Sequence, residues 1–457
     1  MAGHVLEFAA ASGLERQRLE GLRDVLDYVK HESPLYGRKL KGVDLRSIQT
    51  LEDVARLPFT TRGDLQDAAP FGSLCRSARP EAYYESSGTS GAAVPGFPDL
   101  SAGKARSFAQ FLDIWLGLSR SKVTRALVAF AYEMNPAGVR FQTALPYVGV
   151  MAIPVGVRTT ICSPEKTLDY ILRLGPQVIF GRPLELLRYG DALAAAGTPP
   201  AQTQVIKLFF IGEVVSKAKW RRLQMLWDDA DLYGHYGLVE VDSGLQTCHC
   251  GNYHEPPSPF LLTEIVEPAT GQAVDAGTWG EVVFTTLRRT HAPLVRYRTG
   301  DAARRLPDRC ACGDPSPVYE VRGRLLDGYT AAGRTIFPID LEDVIYSHSD
   351  IGNEYLFVIE LDHSLRLVLE RSLGSQCDCD AEAARVAAHV KEALGITVAA
   401  EVRPFGAIAD KLGIAKKKSG RFTDLRGLDA AARAAELEIN AVNSCQLRTG
   451  GGVAISI

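Results

Sequence analysis

No stretch of this chain stays apolar for the ~20 residues that a membrane-spanning helix needs, so a membrane is not an expected partner. Positive charge is not in excess either. Against 51 Lys and Arg stand 54 Asp and Glu, a formal net charge of −3. A nucleic-acid binder normally shows a clustered basic face, and nucleic acid is therefore not an expected partner. Cysteine is scarce, with nine in 457 residues, too few for the disulfide framework of a secreted domain. The segment from Met1 to Leu14 has no basic leader and holds Glu7 among its apolar residues, which makes it a poor signal peptide. A cytoplasmic location is the expectation. No internal repeat is evident.

What is present is apolar substance: 46% of the residues are hydrophobic, enough for more core than one ordinary domain holds. Leu19, Leu22, Leu26 and Val29 share one face of a helix over 14–31,. From about 110 to 330, short apolar runs at 125–131, 178–180, 205–211 and 281–286 alternate with helix-like segments at 164–174 and 184–195. Alternation of this kind predicts an α/β fold, sheets joined by crossover helices. Beyond a boundary near 322–327 the order changes. A helix start at 338–346, paired strands at 356–361 and 364–370, a helix at 381–394 and a strand at 397–402 follow. That order predicts a small α+β domain with helices on one face of an antiparallel sheet. The expected division is 1–325, 326–435 and a tail over 436–457, Ala-rich then Gly-rich, with no chemistry assigned.

Ser86-Ser87-Gly88-Thr89-Ser90-Gly91 is a hydroxyl- and glycine-rich loop. Glycines let backbone N–H groups converge on an anion, and hydroxyls add donors for phosphate oxygens. No Gly-Lys-Ser/Thr closes it, so it is not a Walker loop; alone, such a cluster is more often a plain flexible loop. Two further clusters, Cys248-His249-Cys250-Gly251-Asn252-Tyr253-His254 and Cys310-Ala311-Cys312-Gly313, each hold Cys-x-Cys-Gly. Paired thiolates on tight turns suit tetrahedral zinc; free reduced cysteines are the alternative.

The motifs come in a telling order. Pro58-Phe59-Thr60-Thr61-Arg62-Gly63-Asp64-Leu65 precedes the Ser86 loop. Then follow Gly212-Glu213, Tyr236-Gly237-Leu238-Val239-Glu240, Arg296-Tyr297-Arg298-Thr299-Gly300-Asp301 and Gly323-Arg324. Last come Lys416-Lys417-Lys418-Ser419-Gly420-Arg421 and Asp424-Leu425-Arg426. Together, from about Leu22 to Arg426, they resemble the phenylacetate–CoA ligase family of acyl-adenylate-forming enzymes.

The resemblance implies a large N-terminal adenylate-forming domain and a small, mobile C-terminal domain that carries a catalytic lysine. It implies ATP, Mg²⁺ and a small-molecule carboxylic acid, an aryl acid on the family pattern. The acid would attack the α-phosphate of ATP, and the resulting acyl-adenylate would pass to CoA. A carrier-protein thiol or an amine is the alternative acceptor. A carrier protein and a second copy of the chain are further candidate partners, and a zinc-stabilised module without catalysis is a third class of function. On this pattern Ser86, Ser87, Gly88, Thr89, Ser90 and Gly91 would grip the β- and γ-phosphates. Gly212 and Glu213 with Tyr233, Gly234, His235 and Tyr236 would frame the adenine. Asp301 would accept the ribose hydroxyls, the alternative being an ordinary turn aspartate, and Arg324 would support the ribose side. Glu240 would hold Mg²⁺, and Lys418 (with Lys417 as second choice) would bridge the substrate carboxylate and the α-phosphate. Tyr132, Phe141, Gly212, Tyr236 and Gly237 would lie near the acid. By family pattern one structural zinc would use Cys310, Cys312, His254 and one or both of Cys248 and Cys250. Two positions depart from the pattern: Val239 stands where a Ser or Thr usually precedes Glu240, and Leu326 stands at the interdomain pivot, usually Asp or Lys.

Overall fold

The computed structural model describes residues 2–86, 93–157, 159–228, 230–256, 258–331, 334–408 and 422–427. Two compact units divide the chain, Met1–Leu326 and Asp327–Ile457. Among the described residues no helix is long and apolar enough to cross a membrane.

The first unit opens with α1 (Ala2–Glu32), α2 (Pro34–Lys39) and α3 (Arg62–Asp67), then a two-stranded hairpin of β1 (Tyr84–Glu85) and β2 (Pro95–Gly96). Next come α4 (Ala102–Leu116), β3 (Arg125–Val128), α5 (Pro136–Ala144) and β4 (Met151–Pro154). Three more helix–strand repeats follow: α6 (Pro164–Leu174) and β5 (Val178–Gly181), α7 (Pro183–Ala195) and β6 (Lys207–Ile211), α8 (Lys217–Leu226) and β7 (Asp231–Gly237). Local chemistry sets these boundaries. Ser163 and Ser216 cap α6 and α8 by accepting from Lys166 and Lys219 N–H, which satisfies donors the helix itself leaves open. Gly117 and Gly175, both left-handed, end α4 and α6, a conformation that costs other residues a Cβ clash.

β4, β3, β5, β6 and β7 lie side by side and parallel, as crossover helices require. Beyond β7 the same sheet continues antiparallel through β8 (Gly244–Thr247), β9 (Tyr253–His254), β10 (Leu261–Val266), β11 (Gly280–Thr286), β12 (Tyr297–Arg305) and β13 (Val318–Arg324). The full order is β10-β11-β12-β13-β9-β8-β7-β6-β5-β3-β4, eleven strands. On one face of the parallel part α4 and α5 bury Leu112, Leu116 and Phe141. The other takes α6, α7 and α8, with Ile171, Leu187 and Leu223 at their contacts. The antiparallel part is covered by Leu22, Val25, Leu26 and Val29 of α1, close to the face its sequence spacing predicts.

The second unit holds a hairpin of β14 (Tyr329–Ala331) and β15 (Arg334–Ile336), then α9 (Pro338–Ile345), β16 (Ile351–Ile359) and β17 (Leu365–Arg371). It continues with α10 (Cys379–Leu394), β18 (Ala399–Arg403) and β19 (Phe422–Asp424). Its sheet runs β18-β17-β16-β19 and is mixed, not antiparallel as expected. Only β16 and β17 are antiparallel; β17–β18 and β16–β19 are parallel. The reason is α10, which lies between β17 and β18 and returns the chain in the same direction. Val386 and Val390 of α10 are fully buried, each worth roughly 1.5–3 kcal/mol.

Candidate active site

The segment 58–64 shows how sequence becomes a site. Thr60 pairs its backbone with Arg296 and Arg298, at 2.9 Å each, so the segment is fastened to β12. Its hydroxyl donates to Val295 O at 2.7 Å and lies 3.0 Å from Tyr36 Oη. Next door, Thr61 and Asp64 form a reciprocal capping box at the start of α3,. Arg62, the first residue of α3, thereby reaches forward, and its Nη2 donates to Ser86 Oγ at 3.2 Å. A guanidinium beside the first hydroxyl of the Ser86 loop is a candidate site residue that the motifs alone did not single out. Its signal was the basic residue fixed behind a capping threonine. Ser87, Gly88, Thr89, Ser90 and Gly91 lie outside the described residues. The hairpin that carries them does not: Ser86 N bonds Val94 O at 2.9 Å.

Two buried carboxylates form the centre. Glu240 follows β7 and is 4% exposed; Asp301 sits in β12 and is also 4% exposed. Tyr297 donates to Glu240 Oε1 at 2.7 Å, and Tyr236 donates to Asp301 Oδ2 at 2.6 Å. Burial and the adjacent carboxylates push both phenols well above their ordinary range, so both stay protonated and act as donors. Arg324 closes the group with its Nε 3.0 Å from Asp301 Oδ1. Burial opposes its charge, but the attraction of Asp301 and Glu240 outweighs it, and the guanidinium titrates higher than usual. Arg289 adds a clamp, donating to Glu240 O and to Phe97 O of the segment after β2. Val239 packs there too: a Cβ added at Gly96 would lie 2.6 Å from its Cγ1. The departure at 239 is thus an apolar contact with the hairpin backbone.

The remaining arginines of the Arg296–Asp301 motif hold the scaffold. Arg296 bonds both Glu264 oxygens and the carbonyls of Ala55 and Leu57, and lies 3.9 Å over the Phe59 ring. Arg298 pairs with Glu281. Both are positioning residues for Tyr297 and Asp301.

The expected adenine-framing run Tyr233–Tyr236 is divided by strand geometry. In β7 successive side chains point to opposite faces. Tyr236 joins the core beside Tyr253 and Phe284, on the Asp301 side. Tyr233 and His235 turn the other way, with ring centroids 6.1 and 6.3 Å from Trp115 of α4. Gly234 has no room for a side chain, since a Cβ would meet Phe210 at 2.6 Å. The side chains of this run therefore divide between the two faces of the sheet. Gly212, at φ +92, and Glu213 lie just past the end of β6.

Of the residues expected near the acid, Gly237 is exposed at the end of β7. Tyr132 packs its ring on Gly138 of α5, at 2.9 Å from an added Cβ. Phe141 is enclosed by Phe108, Phe130, Phe180 and Phe209, with centroids 4.7–5.3 Å away; it shapes the region as core. Gly212, Gly237 and Tyr132 follow the carboxyl ends of β6, β7 and β3, the edge where α/β sheets bind ligands. Lys417 and Lys418 lie outside the described residues, as does 436–457.

The cysteine clusters do meet. Ligand atoms of Cys248, His254, Cys310 and Cys312 all lie within 4.8 Å of one another. Cys248 Sγ is 3.6 Å from Cys310 Sγ, and Cys312 Sγ is 3.5 Å from His254 Nε2. Asn252 donates to Cys310 Sγ at 3.2 Å. Cys250 is exposed and is not one of the four.

No protein-family profile matches the chain. Curated relatives do. A phenylacetate–CoA ligase of Aromatoleum evansii is 26% identical over 422 residues, 90% of this chain and 92% of the relative. A phenylacetate–CoA ligase of Thermus thermophilus is 25% identical over 452 residues, 92% and 98% of the two chains. Among solved structures, a 2-hydroxyisobutyryl-CoA ligase superposes with a TM-score of 0.78 at 19% identity, covering 93% of this chain and 92% of the other. Over nine-tenths of its length the chain is similar in sequence to phenylacetate–CoA ligases, and its fold is that of an acyl-CoA ligase of the adenylate-forming kind.

Proposed function

We propose that the protein uses ATP to activate a carboxylic acid as its acyl-adenylate and then transfers the acyl group to CoA. The observation that carries this reading is the two buried carboxylates, each held by its own donors, Glu240 under Tyr297 and Asp301 under Tyr236 and Arg324. A phosphoryl-type displacement leaves the protein little covalent work. It must hold ATP and neutralise charge spreading over phosphate oxygens. Asp301 accepts the ribose hydroxyls with the lone pairs that Tyr236 and Arg324 leave available. Arg62, Ser86 and the loop after it take the terminal phosphates. Lys418 meets the substrate carboxylate and the α-phosphate. Glu240, fixed through one oxygen by Tyr297, suits Mg²⁺, a hard cation that prefers a carboxylate together with phosphate oxygens; when bound it supplies charge neutralisation. The acid is an aryl acid on this reading, set at the carboxyl ends of β3, β6 and β7.

The test is pyrophosphate release with a panel of aryl and alkyl acids, with and without CoA. Acid-dependent pyrophosphate release, with thioester formed only when CoA is added, is the expected result. No acid-dependent release sinks the reading.

The Cys248, His254, Cys310 and Cys312 donor set fits zinc, with three thiolates and one imidazole at tetrahedral number. Bound there, zinc is structural, because four protein ligands leave no position for water. Purified protein is expected to hold about one zinc per chain. Cys312→Ser and Cys248→Ser should lose the metal and lower Tm, while Cys250→Ser should keep both. Metal analysis of fresh, unchelated protein showing no zinc ends this proposal, and zinc lost in Cys250→Ser but kept in Cys248→Ser reverses the ligand choice.

A further inference from the structure

His235 is the polar group that the adenylation chemistry above does not use. It lies at the carboxyl end of β7, facing away from Tyr236 and Asp301. Its Nε2 sits beside Gly237, 2.8 Å from where a Cβ on that glycine would be. The ring is surrounded by protein but keeps part of its surface accessible, which is the situation of a residue in the wall of a recess. Burial and the nearby Arg140 guanidinium depress its pKa to about 4, so the imidazole is neutral, with one N–H to give and one lone pair to accept. Among the described residues neither nitrogen has a hydrogen-bond partner; its contact is the edge of Trp115. The charged groups nearest to it, Arg140 of α5 and Asp242, are already joined as an ion pair with side chains 21% and 15% exposed. The three side chains together therefore carry no net charge. Against Gly138 of α5, the Tyr132 hydroxyl is a buried polar atom without a partner among the described residues; burial raises its pKa to about 12.

The His235 nitrogens still reach solvent, and an acid seated against them would enclose them; polar atoms enclosed without partners cost free energy unless something completes them,. We infer that the acid taken by this site carries a neutral hydrogen-bonding substituent, a hydroxyl or an amino group, which meets His235 Nε2 beside Gly237. The inference rests on the adenylation reading and names the substrate class within it. A second carboxylate on the acid is disfavoured, because Asp242 already neutralises Arg140. An ammonium is disfavoured by the same pairing seen from the other side. A purely hydrocarbon acid would leave the imidazole buried and unpaired. A site built to hydrogen-bond an OH or NH discriminates strongly against the analogue that lacks it.

The experiment uses the full chain with ATP and Mg²⁺ and measures kcat/KM for acid-dependent pyrophosphate release. The acids are matched pairs: phenylacetate against its ring-hydroxylated and ring-aminated forms, and benzoate against hydroxy- and aminobenzoates. The best substituted acid is expected to exceed its unsubstituted parent by about 100-fold or more. His235→Phe is expected to cut that ratio at least about tenfold, with His235→Asn retaining more of it. If His235→Phe does not fold, Tyr132→Phe and His235→Asn carry the comparison. A ratio near one in the wild type overturns the inference while leaving adenylation intact. So does a ratio unmoved in His235→Phe with a raised KM for ATP, which would return His235 to the nucleotide. Absence of pyrophosphate release with every acid overturns the adenylation reading itself, and this inference with it.

Discussion

Asp301→Ala is expected to raise the KM and Kd for ATP by at least about a hundredfold. Hydrogen bonds to a charged group are worth about 1.5–3 kcal/mol each, and the two ribose hydroxyls would lose theirs together. At about 1.4 kcal/mol per tenfold, that is two decades or more. The substitution also bears on stability. Asp301 is buried and takes the Tyr236 hydroxyl at 2.6 Å and Arg324 at 3.0 Å, so alanine leaves a buried phenol without an acceptor, a penalty of about 1–3 kcal/mol. A fall in Tm should therefore accompany the loss of ATP binding. Asp301→Asn separates the two effects, since its amide oxygen can still accept from Tyr236. It should recover much of the Tm while ATP binding stays weak. Calorimetry showing unchanged ATP affinity in Asp301→Ala would remove Asp301 from the site.

Lys418→Ala should divide the reaction into its halves. A positioned donor on developing charge typically contributes on the order of 10²–10³ in rate, so pyrophosphate release should fall by about that factor. Thioester formation from supplied acyl-adenylate and CoA should change far less, because the phosphate chemistry is then already complete. Three consecutive lysines precede Ser419, and the assignment to 418 rests on alignment with Arg421 and Asp424-Leu425-Arg426. If Lys417→Ala gives the divided pattern and Lys418→Ala does not, the register moves back by one residue.

Several strands of the first unit were legible because they are apolar runs with helices between them. The runs at 178–180 and 281–286 appear within β5 and β11, Val178–Gly181 and Gly280–Thr286. β12 was not legible as a strand. Its Arg298, Asp301 and Arg304 look like a solvated loop in sequence, and they are accommodated by Glu281, Tyr236 and Glu320. Those partners are 16 to 65 positions away along the chain, beyond the reach of any local pattern. The mixed sheet of the second unit escaped for a related reason. Hydrophobic period identifies β17 and β18 as strands, but only the path taken by α10 sets their relative direction.

The sequence by itself determined the chemistry on offer: the order of motifs, the two carboxylates at 240 and 301, the hydroxyl-rich loop and the two cysteine clusters. Residue type and spacing along a chain record which groups are available. Tertiary structure decided which of them act together. Cys248 and Cys250 are two residues apart on one turn and equivalent on paper, and the fold puts the first beside Cys310 and leaves the second in solvent. His235 and Tyr236 are neighbours in sequence, yet the pleat of β7 sends one to Trp115 and the other to Asp301. Arg62 is one residue of a motif in the sequence, and its place at the start of α3, behind the capping box, brings it to Ser86. In each case the deciding quantity is the direction of a side chain, set by backbone geometry and by contacts with residues remote in sequence.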